Sequence, residues 1–209
     1  MNVKNLLEDS IKKIGAFSDT PQLDAQVLLA HIIAKPRTWI MAHLENAITS
    51  KEQDKFNDTL KQLEAGEPLP YLLGKWEFFG LDFDITKDVL IPRPETELLV
   101  EKAIAWLQAS HEKDPSTTLR VADIGTGSGA IAVSIAMHIP DAHILATDVS
   151  PAALEVARRN AIKFNVIDQI DFVECDLLPE SKVESRKSNI HTSSFSFHPS
   201  SFDLICATL

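Results

Sequence analysis

Twenty Lys and Arg against thirty Asp and Glu give this 209-residue chain a formal charge of −10, with 44% hydrophobic and 24% charged residues. That balance is globular rather than disordered, and the length suffices for one full domain plus a small accessory one. The acid excess argues against a protein that holds DNA or RNA by neutralising phosphates, and no run approaches the roughly 20 apolar residues that span a bilayer.

The opening residues MNVKNLLEDS place Glu8 and Asp9 where a secretion signal needs an apolar stretch, so the chain reads as soluble and cytoplasmic, with no membrane partner. Residues 1–66 read as a small helical domain. Leu7, Ile11 and Ile14 share one face of a first helix, and Thr20-Pro21 offers an N-cap followed by proline at the first helical position. Leu23, Val27, Ala30 and Ile33 then repeat at helical spacing until Lys35-Pro36 ends the run. A third helix from about Lys51 to Ala65 carries Phe56, Leu60 and Leu63 as its stripe, and Gly66 closes it. Such a bundle either orients a partner or simply stabilises the chain.

Residues 67–92 read as a connecting β-hairpin. Trp76-Glu77-Phe78-Phe79 and Leu81-Asp82-Phe83-Asp84-Ile85 alternate around Gly80. Behind Pro92-Arg93-Pro94 a helix starts in which Val100, Ala103, Ile104 and Leu107 share a face, with Glu95 and Glu97 in the dipole-favoured first turn. Strands and helices alternate from there. Leu119 to Ile124, His143 to Thr147, Ile170 to Cys175 and Phe202 to Ala207 read as strands; Gly129 to Ile139 and the Ser150-Pro151-capped segment read as helices. The pattern predicts a parallel α/β sheet with helices on its faces, over residues 93–209. Eight of the 21 residues from Ser181 to Ser201 are serine, without any period, and this stretch is expected to be a disordered insertion. Cys175 and Cys206 belong to no CxxC pair and no histidine pair has metal spacing, so a structural metal is not expected.

The most informative stretch is Val121-Ala122-Asp123-Ile124-Gly125-Thr126-Gly127-Ser128-Gly129. A strand, three alternating glycines and a helix let the backbone turn sharply and approach a ligand closely. Taken alone, Gly125-x-Gly127-x-x-Ala130 also fits a dinucleotide fingerprint, which keeps a nicotinamide oxidoreductase in view. Asp123, just before the glycines, would repel a pyrophosphate and attract an ammonium. Asp148, ending the second strand, suits two ribose hydroxyls, and Asp176, ending the third, suits an adenine amino group or a simple loop cap. Acidic residues at three strand ends together favour S-adenosyl-L-methionine as cofactor.

Leu23-Asp24-Ala25, Pro70-Tyr71-Leu72-Leu73-Gly74, the block Leu90-Ile91-Pro92-Arg93-Pro94-Glu95-Thr96-Glu97 and the stretch Asp123 to Gly129 resemble the release factor glutamine methyltransferases, the HemK family. The resemblance runs nearly to Ala207, and the IPRPETE block is far more specific than the glycines. It implies an α/β, Rossmann-like S-adenosylmethionine-dependent methyltransferase sheet behind a small N-terminal helical domain, acting in translation termination. The reaction implied is N5-methylation of the glutamine in the Gly-Gly-Gln loop of class I peptide chain release factors. It further implies donor binding by Gly125, Thr126, Gly127, Ser128, Gly129 and Asp148, with Leu177 near the adenine. Arg93, Glu95 and Thr96 would lie on the substrate side; otherwise they are a capped helix start behind two prolines.

The family carries Asn-Pro-Pro-Tyr after the fourth strand. Here Thr208 and Leu209 stand at the Asn and first Pro positions, so no catalytic motif is intact and the sheet is expected to be truncated. A glutamine amide nitrogen is a poor nucleophile unless acceptors hold its two N–H groups and turn the lone pair toward the methyl. Thr208 offers one hydroxyl for that purpose. Two rivals remain open: an inactive fragment that retains donor or partner binding, and a DNA amino-methyltransferase, against which the charge speaks.

Overall fold

The computed structural model describes residues 1–114, 116, 118–178 and 202–207, together with the backbone of 183–184 and 194–195. The chain divides into two compact units, Met1–Gly74 and Lys75–Leu209.

The first unit is helical: α1 (Val3–Ile14), α2 (Pro21–Ile32), α3 (Arg37–Ala42), α4 (Ser50–Glu64) and α5 (Leu69–Leu73). Side chains satisfy free N–H groups at the heads of α1 and α4, whereas Thr20, expected to cap α2, makes no side-chain cap bond and that helix opens on a proline with no N–H to satisfy. The Asn2 side chain accepts from Asn5 N at the head of α1, Pro21 opens α2, and Thr49 with Glu52 forms a complete capping box on α4. Leu6, Leu7, Ile14, Leu28, Leu29, Ile40, Phe56 and Leu60 meet in one apolar core. Two short helices depart from the sequence expectation. α2 ends at Ile32, ahead of the left-handed Ala34 at φ 52°, and Pro36 instead is the N-cap residue of α3, which delivers Ile40 to the core. Gly66 is not the end of the unit, because Leu69 and Leu72 pack back onto the same core and the chain leaves only at Gly74, in the left-handed conformation at φ 69°.

The second unit opens with the antiparallel hairpin β1 (Lys75–Phe78) and β2 (Leu81–Asp84). It then alternates α6 (Pro94–Lys113), β3 (Leu119–Ile124), α7 (Ala130–His138), β4 (Ala142–Asp148), α8 (Pro151–Lys163), a 3-10 turn at Ile167–Gln169 and β5 (Ile170–Glu174). In the serine-rich stretch the described residues form the two-residue strands β6 (Val183–Glu184) and β7 (Ser194–Phe195), which pair antiparallel. The expectation of disorder otherwise falls outside the described residues. β8 (Leu204–Ala207) completes a four-stranded parallel sheet in the order β5-β4-β3-β8. This order sets β5 and β8 on opposite edges of the sheet. Cys206 of β8 and Cys175, just beyond β5, are both free thiols.

Helix α7 is buried from Ala130 through Ala136, which explains its alanine-rich, aperiodic sequence: it packs against α6, α8 and the sheet. The hairpin is part of this unit rather than a free connector. Phe78 and Phe83 are fully buried, Phe79 N–H donates to Glu97 at the head of α6 (2.8 Å), and Asp84 is held through α8. No helix among the described residues is long and apolar enough to cross a membrane.

Candidate functional site

β3 and β4 run parallel with Asp123 beside Ala146 and Ile124 beside Thr147, so the glycine loop leaves β3 next to the end of β4. Gly125, Gly127 and Gly129 all have left-handed backbones, at φ 71°, 54° and 79°. They serve different ends. A Cβ on Gly127 would meet nothing nearer than the Gly125 carbonyl at 4.0 Å, so the space it faces is open; a Cβ on Gly129 would stand 3.1 Å from Ala157 Cβ, so that glycine exists to let α8 pack closely.

The N–H groups of the loop are largely committed within the protein. Thr126 N donates to the Thr147 carbonyl (2.8 Å), Gly127 N to Asp148 Oδ2 (3.0 Å) and Gly129 N to the Thr126 carbonyl (2.8 Å). A pyrophosphate-binding loop instead offers such donors to the ligand. With two carboxylates also at hand, the chemistry of this loop disfavours a dinucleotide and suits a ligand that presents cationic or hydroxyl donors.

Asp148 is half-buried, and each of its oxygens accepts one backbone N–H: Oδ2 from Gly127, Oδ1 from Ser150 (2.9 Å). A carboxylate has about four lone-pair positions, so two remain for further donors. Ser150 in turn caps α8 through Ala153 N (3.2 Å). Asp123 is fully buried. Its Oδ2 accepts from the Thr126 hydroxyl (2.7 Å) and Ala132 N (3.2 Å), while its Oδ1 has no partner in the protein. Burial pushes this carboxyl up to about 6, against the hydrogen bonds from Thr126 and Ala132, and the Asp148 charge adds to the rise. Across the sheet, Cys206 pairs with Asp123; burial first, then that carboxylate, pushes its thiol up to about 12.

Asp176 and Leu177 lie in the bend after β5, both exposed, and Leu177 adopts a left-handed backbone at φ 61°. Its carbonyl accepts the Thr147 hydroxyl (2.8 Å), so Thr147 touches both the glycine loop and this bend. Arg93, Glu95 and Thr96 stand at the head of α6. Arg93 is the N-cap residue, its carbonyl accepts Thr96 N (3.0 Å), and its side chain and that of Glu95 are exposed. The bonds observed there are those of a helix start. Thr208 and Leu209 lie outside the described residues. Among the described residues no group of His, Cys, Asp or Glu is placed to hold a metal ion.

Asn160 and Thr147 were invisible to pattern reading. Asn160 is fully buried on α8; its Oδ1 accepts Asp84 N (2.8 Å) and its Nδ2 donates to the carbonyls of Asp84 (3.0 Å) and Ser128 (2.8 Å). It joins the hairpin to the glycine loop. The only sequence hint is a polar residue on an otherwise apolar helix face, which is common on solvent-facing helices as well.

The second unit is a methyltransferase domain: residues 121–209 match the model of the family described as "Methyltransferase domain", and residues 5–74 match that of the "PrmC N-terminal domain". The release factor glutamine methyltransferase of Burkholderia pseudomallei is 49% identical over 141 residues, covering 68% of this chain and 47% of the relative. That of Bordetella pertussis is 44% identical over 151 residues, 72% of this chain and 54% of the relative. That of Coxiella burnetii is 40% identical over 182 residues, covering 86% and 63%. The chain spans about half to three-fifths of the length of these curated relatives and belongs to the release factor glutamine methyltransferase family.

Proposed function

We propose that the second unit binds S-adenosyl-L-methionine at the ends of β3, β4 and β5, and that the chain serves N5-methylation of the glutamine in the Gly-Gly-Gln loop of class I peptide chain release factors. The observation that carries the donor reading is Asp148. It holds the glycine loop and the head of α8 with one hydrogen bond to each oxygen, which leaves two acceptor positions for the 2′- and 3′-hydroxyls of a ribose. The unpartnered Oδ1 of Asp123 suits an ammonium, and the open space before Gly127 admits the ligand backbone. Asp176 and Leu177 serve the adenine side.

When bound, S-adenosylmethionine supplies an electrophilic methyl group on a sulfonium. The protein's share is orientation. Asp123, Asp148 and the glycine loop fix the donor, while Arg93, Glu95 and Thr96 form the substrate side. No base is required before transfer, since the amide proton can leave afterwards. The acceptors that orient the glutamine N–H groups belong at Thr208 and beyond. The release factor as partner rests on the names of the relatives, which stand for proteins longer than this chain.

Calorimetry tests the donor reading. S-adenosylhomocysteine is expected to bind and NAD is not, and Asp148→Ala is expected to weaken binding by roughly tenfold or more, because hydrogen bonds to a charged group contribute about 1.5–3 kcal/mol. NAD binding at comparable strength overturns the assignment.

A further inference from the structure

Thr147 is the penultimate residue of β4 and is fully buried, following Ile144, Leu145 and Ala146 in an apolar run where valine would pack equally well. A buried hydroxyl in such a place is unfavourable unless it is bonded. Its partner is not in the sheet. The hydroxyl donates to the carbonyl of Leu177, 30 positions away, while the Thr147 carbonyl accepts Thr126 N of the glycine loop. Leu177 is a leucine with φ 61° and a side chain 65% exposed. A branched residue keeps that backbone only where its surroundings impose it. Besides the hydroxyl, the Cys175 thiol points at the same carbonyl from the longer distance of 3.8 Å. Cys175 N–H bonds the Asp148 carbonyl (3.1 Å), so the bend starts from a fixed point beside the ribose-side carboxylate.

We propose that Thr147 is a positioning residue for base recognition: its hydroxyl holds the Asp176–Leu177 bend in the shape that presents the Asp176 carboxylate to an adenine amino group, while its carbonyl anchors the glycine loop. The inference rests on the donor reading above and adds to it the residue that sets specificity for the base. A carboxylate accepts from the adenine amino group and is repelled by the carbonyl that replaces it in hypoxanthine. Discrimination between those bases therefore reports the geometry of the bend, and a general loss of packing does not imitate it.

Calorimetry of the 209-residue chain with S-adenosylhomocysteine and S-inosylhomocysteine reads this directly. The parent is expected to prefer the adenine compound by about tenfold or more. Thr147→Val, which keeps the shape and removes the hydroxyl, is expected to lose most of that preference, and Thr147→Ser to retain it. Equal weakening of both compounds by Thr147→Val, with the preference intact, overturns the proposal and leaves Thr147 a packing residue. Should Thr147→Val not fold, loss of the preference in a folded Thr147→Ser overturns it as well. A parent chain that binds both compounds equally removes base recognition by the bend, and one that binds neither removes the donor reading itself, with this inference.

Discussion

In the helical unit the one buried polar side chain among the described residues is Ser10, whose hydroxyl donates to the Leu7 carbonyl three positions back (3.0 Å). In the sheet unit Asp123, Thr147 and Asn160 are buried with side-chain partners in other segments, up to 76 positions away, Thr126 bonds Asp123 three positions back, and Asp123 Oδ1 and Ser134 Oγ have no partner. Both units must exclude water from a core, yet only the second places polar groups there that fold geometry alone does not call for. Buried polarity is unfavourable for stability unless satisfied. Its concentration around one loop marks where the chain has traded packing for a site, and it separates substitutions that unfold from substitutions that disarm.

The widest test of that separation is binding. Asp148 holds the glycine loop and the head of α8 in the sheet unit, and Asp148→Ala is expected to weaken S-adenosylhomocysteine binding by roughly tenfold or more while the urea midpoint of the helical unit stays where it is. Calorimetry and a urea titration of the same variant measure this. A shift of that midpoint as large as the loss of affinity would show that these polar groups serve stability rather than a site.

Next is a substitution on the apolar side of the comparison. Phe56 is fully buried at the centre of the helical core. Phe56→Ala is expected to cost about 3–5 kcal/mol in a urea titration followed by helical circular dichroism. Affinity for S-adenosylhomocysteine should not change while the second unit remains folded. A matching loss of affinity would mean that the two units do not divide stability and binding as their buried groups suggest.

What the sequence disclosed follows the same division. Prolines at first helical positions (Pro21, Pro94, Pro151), apolar runs for β3 and β4, and the three glycines are local signals, and the structure follows them within a residue or two. The helices α3 and α5 are six and five residues long, too short for a 3.6-residue period to register, and Pro36 reads as a stop although it also begins a helix. Asn160 and Thr147 gave no signal because their roles lie in partners 76 and 30 positions distant. The carboxylates at the strand ends were legible; the residues that hold them and their neighbours in place were not.

A third outcome concerns Asp123 alone and follows from sign. Burial raises its carboxyl from 3.8 to about 6, so the folded chain holds this proton more tightly than the unfolded chain. The stability it contributes is full below about pH 4 and is lost as the pH rises through about 6, an interval worth roughly 3 kcal/mol. A bound ammonium reverses the preference by favouring the carboxylate. Affinity for S-adenosylhomocysteine is therefore expected to fall about tenfold between pH 7 and pH 5 in the parent, and to be weak and flat across that range in Asp123→Asn. The same variant should be at least as stable as the parent at pH 8, since the amide oxygen can still accept from Thr126 and Ala132. A flat affinity profile in the parent would remove Asp123 from the ligand's surroundings and leave it a structural carboxyl.

The smallest expected effect sits on the other side of the comparison. The Ser10 hydroxyl bonds a carbonyl of its own helix, one turn back, and alanine is the better helix former at that position. Removing the hydroxyl leaves no buried donor unpaired, and the Leu7 carbonyl keeps its place in the α-helical ladder. Ser10→Ala should shift unfolding free energy by no more than about 0.5 kcal/mol in either direction and leave donor affinity untouched. Thr147→Val, the removal of an equally buried hydroxyl by a change of similar size, is expected to alter what the protein binds. If Ser10→Ala instead destabilised the helical unit by several kcal/mol, burial of a hydroxyl by itself would account for the cost of losing one, and the long reach of the Thr147 bond would no longer distinguish the site from the core.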